Sequence, residues 1–114
     1  SWARLIAHVA DDNNGACSGL AGEASRPARL DTEDTQNSAA NKMTKADLQK
    51  VLAESFARCE KAFAAVNESN MMERSGNRSK IGTLIYDTIH INEHYGNIVT
   101  YMRLNNMVPP SSQR

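Results

Sequence analysis

Three histidines, His8, His90 and His94, are the residues of this 114-residue chain best suited to chemistry. His90 and His94 stand four apart. On a helix that spacing sets both imidazoles on one face, about 6 Å apart along the axis, within reach of a single ion. By helical-wheel angle they flank an apolar stripe on the side shared by Asp87 and Tyr101. His8 lies at the margin of its own stripe, beside Leu5 and Asp12. Two helices packed with those margins facing would direct three imidazole nitrogens to a common point. Imidazole suits zinc, nickel, copper and iron, and three protein ligands with one open position is a catalytic rather than a structural zinc pattern. The alternative is that these are ordinary helix-edge histidines.

The neighbouring residues are read more plainly. Glu93 lies between the two histidines but is turned about 100° per residue away from them, so it does not repeat the general base of a zinc-protease HExxH helix. Asp11, Asp12 and Asp87 each fall within three or four residues of a histidine, where a carboxylate can orient an imagined ligand ring from behind; as solvated surface acids they would do nothing. Tyr95 reads as core or interface, and Tyr101 as either a hydrogen-bonding neighbour of the histidines or a packing residue.

Apolar spacing of three and four residues predicts the helices that must carry these groups. The first runs over 2–23 on Trp2, Leu5, Ile6, Val9, Ala16, Cys17 and Leu20. The second runs over 44–68 on Leu48, Val51, Leu52, Phe56, Cys59, Phe63 and Val66, and opens on a capping box of Thr44 with Asp47. The third runs over 77–105 on Ile81, Leu84, Ile85, Ile91, Tyr95, Ile98 and Met102, weakened by Gly82 and Gly96, and Pro109-Pro110 stop it. A polar connection, 24–43, joins the first two. No strand-like alternation is visible. The class is all-α, in a single domain over 1–114, with helices of roughly 35 to 40 Å suited to a bundle.

Composition narrows the function. Thirteen Lys+Arg balance thirteen Asp+Glu, giving zero formal net charge and a pI near 6.8. That balance, with no basic-aromatic interleaving, argues against a nucleic-acid partner. No apolar run reaches the ~20 residues of a membrane span and no signal peptide is visible, so the expected location is the cytoplasm, with no membrane partner. Cys17 and Cys59 both fall on apolar stripes and read as buried reduced thiols, with a disulfide between them as the lesser reading.

The run His90-Ile91-Asn92-Glu93-His94-Tyr95-Gly96, continuing to Tyr101-Met102-Arg103 and Val108-Pro109-Pro110-Ser111, resembles the last helix and tail of the DinB-like, damage-inducible family. Trp2 to Asp11 resembles that family's second helix, and the stripe with Phe56, Cys59 and Phe63 its third. The resemblance implies an up-down-down-up four-helix bundle, a homodimer, and a divalent metal, zinc or nickel foremost, on His8, His90 and His94. It implies a crossover along the bundle at 24–43, because the helices it joins would be parallel neighbours. It implies chemistry too: relatives include transferases of low-molecular-weight thiols, where a metal presents the thiolate, and hydrolysis is the close variant. The family's first helix has no counterpart here, so the chain reads as cut at its amino end, with a groove that a partner subunit would cover. The competing function is a non-catalytic, stress-related, metal-binding dimer.

Overall fold

The structure, a computed structural model, describes residues 1–113. Three helices dominate it: α1 (Trp2–Cys17), α2 (Lys45–Ala65) and α3 (Lys80–Leu104). A two-stranded antiparallel hairpin, β1 (Arg74–Ser75) and β2 (Arg78–Ser79), precedes α3, with Arg74 opposite Ser79 and Ser75 opposite Arg78. This hairpin corrects the expectation of no strand. It is too short to show alternation, and its signal is the turn: Gly76, at φ +66°, takes the first central position of a two-residue loop, the type II′ pattern.

Local chemistry sets each helix end. The Ser1 hydroxyl accepts from the Arg4 amide at 3.4 Å and the Ser79 hydroxyl from the Gly82 amide at 3.1 Å. Thr44 and Asp47 form a reciprocal capping box, the Thr44 amide donating to Asp47 Oδ2 at 2.9 Å and the Asp47 amide to Thr44 Oγ1 at 3.2 Å. Regular helix in α1 stops at Cys17, short of the expected residue 23. The next turn tightens and closes at Gly22, φ +84°, with the Glu23 amide bonded to the Ser18 carbonyl and the Gly22 amide to that of Gly19. The same closure ends α3 at Asn106, φ +57°, through Met107 to Met102 and Asn106 to Arg103. The second helix also ends early, at Ala65, because Val66 is extended and the Asn67 amide turns to Asn70 Oδ1.

The first helix is central. Its contacts with α2 climb together, Ala7 with Leu48, Asn13 with Ser55, Cys17 with Cys59, so α1 and α2 are parallel. Its contacts with α3 run oppositely, Cys17 beside Asp87, Asp12 beside His90, His8 beside His94 and Trp2 beside Tyr101, so α3 is antiparallel. Two parallel neighbours require a long return, and 24–43 supplies it. This crossover is fastened rather than loose: Asp11 accepts from the Leu30 amide at 2.9 Å and the Asp31 amide at 2.8 Å, and Leu30 packs beside Ala7, Ala40 and Leu48.

Cys17 and Cys59 are joined by a disulfide, which corrects the reduced-thiol reading. Both cysteines are buried, as their stripes predicted, but parallel packing sets the two Cα atoms 5.0 Å apart, inside the range a disulfide spans. The bond sits in the core with Ala62 and Leu84. No helix among the described residues is long and apolar enough to cross a membrane.

On one face α2 and α3 do not close over α1. The cleft is walled by Leu52 and Phe56 from α2 and by Ile91, Tyr95 and Ile98 from α3. Phe56, Phe63, Ile85 and Ile89 remain 44–65% exposed, so the broad stripes are only partly covered by this chain.

Candidate metal centre

The three histidines meet where α1 crosses α3. His8 reaches from α1, and His90 and His94 from successive turns of α3, their ring centroids 4.5 Å apart. Antiparallel register makes this possible, because each step up α1 is matched by one down α3. The structure thus brings together all three histidines read from the sequence as candidate ligands.

A fourth group joins them. Asp12 Oδ2 lies 3.1 Å from His8 Nε2, 3.2 Å from His90 Nε2 and 3.7 Å from His94 Nε2, while the Nε2 atoms of His90 and His94 are 3.1 Å apart. One donor atom from each of the four residues lies within 4.8 Å of every other. In a tetrahedron with zinc–nitrogen bonds of 2.0–2.1 Å the ligand atoms are roughly 3.3 Å apart, and in an octahedron adjacent ones are roughly 3.0 Å apart. The four separations of 3.1–3.7 Å among Asp12 Oδ2 and the imidazole nitrogens lie close to both. This cluster can hold a metal ion.

Asp12 Oδ2 and His94 Nδ1 are buried without a hydrogen-bond partner. Polar atoms in that condition are costly, and a cation among the four groups would satisfy the oxygen. His94 is held below the usual histidine pKa, first by burial and then by the charges of His8 and His90, with Asp12 and Glu93 opposing. A neutral ring keeps its lone pair for an ion.

Outer residues fix the rings. His8 Nδ1 lies 3.3 Å from Asp31 Oδ2, whose other oxygen takes Arg4 Nε at 2.6 Å. With Asp31 on the Nδ1 side, Nε2 faces inward toward Asp12, and a carboxylate behind the ring is the common arrangement for a ligating histidine. His90 is stacked on Tyr86, with centroids 5.9 Å apart and planes 14° apart, and the Arg78 guanidinium lies over the Tyr86 ring, 4.0 Å from its centre. Glu93 Oε2 is 3.7 Å from the outward nitrogen of His90, beyond hydrogen-bond distance, and its side chain is mostly exposed. It stands outside the donor set, in agreement with its angle on the helix.

The carboxylates near the histidines separate into different roles. Asp12, read as an outer residue, faces the ion position itself; its i,i+4 relation to His8 was the available signal, the same spacing that joins His90 to His94. Asp11 fastens the crossover. Asp31, missed in the sequence, orients His8, and no local pattern marks it because the crossover backbone places it. Asp87 turns to the disulfide, Oδ2 lying 3.8 Å from Cys17 Sγ and 3.7 Å from Cys59 Sγ. Bonded sulfurs have no hydrogen to donate, so they do not act as donors to this carboxylate. Burial pushes the Asp87 carboxyl up to about 6, Asp12 adding to the rise and His90 opposing it. The same pairing removes Cys17, Cys59 and Asp87 as a thiolate metal site in this state.

Tyr101 is not at the cluster: it packs edge-on against Trp2 near the far end of α3, centroids 6.5 Å apart. Tyr95 lines the apolar cleft. The cluster opens toward a cavity of about 440 Å³ whose wall includes Asp12, His90, Tyr86 and Asp87. Searches against protein-family models, curated proteins and solved structures found no match for this chain.

Proposed function

We propose that this protein is a metal-dependent enzyme acting on small molecules, with a zinc or nickel ion held by His8, His90, His94 and Asp12. The observation that carries this reading is the convergence of three imidazole nitrogens and one orphaned carboxylate oxygen at coordination spacing. The resemblance of the His90–Gly96 run to the DinB-like family favours the same assignment and, within it, transfer of a low-molecular-weight thiol, with hydrolysis as the close variant. When bound, a divalent ion supplies Lewis acidity that favours the deprotonated form of a ligand thiol or water.

The chain's own residues prepare that chemistry. Asp31 and Tyr86 hold the rings of His8 and His90. Burial holds the pKa of His94 below its usual value, which favours the neutral ring, and Asp12 and His90 present the cluster to the cavity in which a substrate would lie. The open cleft between α2 and α3 supports a second element of the proposal, a homodimer in which another copy completes the bundle.

One observation favours a different reading, a non-catalytic metal-binding dimer: with Asp12, a tetrahedral ion already has four protein ligands. Cobalt substitution separates the two. On adding a small thiol, the enzyme reading expects a thiolate-to-cobalt charge-transfer band; a cobalt spectrum unmoved by thiols, with no hydrolysis of activated esters, selects the structural role.

A further inference from the structure

Arg26, Arg29 and Arg78 line the cavity beside Asp12 and His90. They come from distant parts of the chain, Arg26 and Arg29 from the crossover and Arg78 from the hairpin. Among the described residues none of the three has a carboxylate partner within ion-pair distance; the ion-paired arginines are Arg4 and Arg58. The Arg26 guanidinium lies along α1 at Gly15, where a Cβ would be in ordinary contact with Nη1 at 3.6 Å.

None of the acids in the same wall is ion-paired with these guanidiniums. Asp11 is engaged by the amides of Leu30 and Asp31, Asp12 faces the imidazoles, and Asp87 faces the disulfide. Guanidinium groups with unused donors at the rim of a cavity are suited to carboxylate or phosphate oxygens, which they can grip in pairs.

We propose that this cavity is an oxyanion seat: Arg26, Arg29 and Arg78 hold the carboxylate or phosphate group of a small substrate while its reactive end lies at the Asp12–His90 edge. The inference deepens the metal-enzyme reading and rests on it for the placement of the reactive end. The anion seat itself needs only the arginines. Since a charge-assisted hydrogen bond is typically worth tenfold or more in affinity, loss of two guanidiniums should be plainly measurable.

The test is calorimetric titration of metal-free protein with succinate, with inorganic phosphate and with neutral succinamide. Wild type should bind at least one of the anions saturably and succinamide not at all, and which anion binds identifies the oxyanion. The exposed double variant Arg26→Gln/Arg29→Gln, with its helical circular dichroism intact, should weaken that anion at least tenfold. Arg103→Gln, at the other end of α3, should leave it unchanged. Absence of binding by both anions, or equal binding by the double variant, overturns the proposal. Zinc retention by a separately loaded and dialysed portion of the same protein keeps the two readings apart: a wild type that takes the anion through its arginines but retains no zinc after loading keeps the seat and loses the metal.

Discussion

Asp12 Oδ2 lies 3.2 Å from His90 Nε2, across the seam between α1 and α3. Neither residue has the other as a sequence neighbour, and antiparallel packing alone puts them at one point. Through this contact the cluster becomes a four-donor set with one edge on the cavity.

Orientation from behind should matter to affinity. Asp31→Asn removes the charge facing His8 Nδ1 and is expected to weaken zinc binding by about 10–100-fold while leaving the helical content unchanged. A competition titration against a chromophoric chelator reads it. An affinity equal to wild type would remove Asp31 from the site.

The buried Asp87 carboxyl makes metal-free stability depend on pH. Its folded pKa is raised to about 6 from 3.8, so the folded state binds its proton more tightly than the unfolded chain does. The group therefore adds no penalty below pH 4, an increasing one between pH 4 and 6, and a full one of roughly 2–3 kcal/mol above that. Asp87→Asn should be more stable than wild type at pH 8, and the advantage should shrink toward pH 4. Urea unfolding at both pH values measures this, and a variant less stable at pH 8 contradicts it.

The disulfide closes a loop between residues 42 apart in sequence, for which chain entropy gives about 4 kcal/mol. Alkylation without reductant should label neither Cys17 nor Cys59. Cys17→Ser/Cys59→Ser should unfold at clearly lower urea, and equal midpoints would assign the bond no stabilising role.

Gly96 sits within α3 with open space where a Cβ would go. Gly96→Ala should raise stability by about 0.5–1 kcal/mol, since no packing contact is lost and helix propensity is gained. A lower melting temperature would show that a neighbouring chain uses the space.

How much of this was legible follows from range. Histidines at i,i+4, the Thr44–Asp47 box and the three apolar stripes are local patterns, and each appears in the structure. Helix ends were overrun at Cys17 and Ala65 because closure depends on Gly22 and Asn67 acting through backbone bonds, which periodicity does not register. Disulfide formation and the role of Asp31 depend on which helices are neighbours and in which direction they run. Asp12 lies between these cases: its spacing from His8 was visible, but whether it stood behind the rings or among them was decided by the packing of α3.

The expected compartment is affected as well. A core disulfide is characteristic of oxidising surroundings, so the cytoplasmic expectation loses support from the cysteines.

The most direct measurement is the zinc stoichiometry of the purified protein after loading and exhaustive dialysis, beside His90→Ala and Asp12→Ala. The metal account predicts one ion per chain in the wild type, loss of retained zinc in His90→Ala, and weakened retention in Asp12→Ala. A wild type that retains none, or variants that retain as much as it does, contradicts the account.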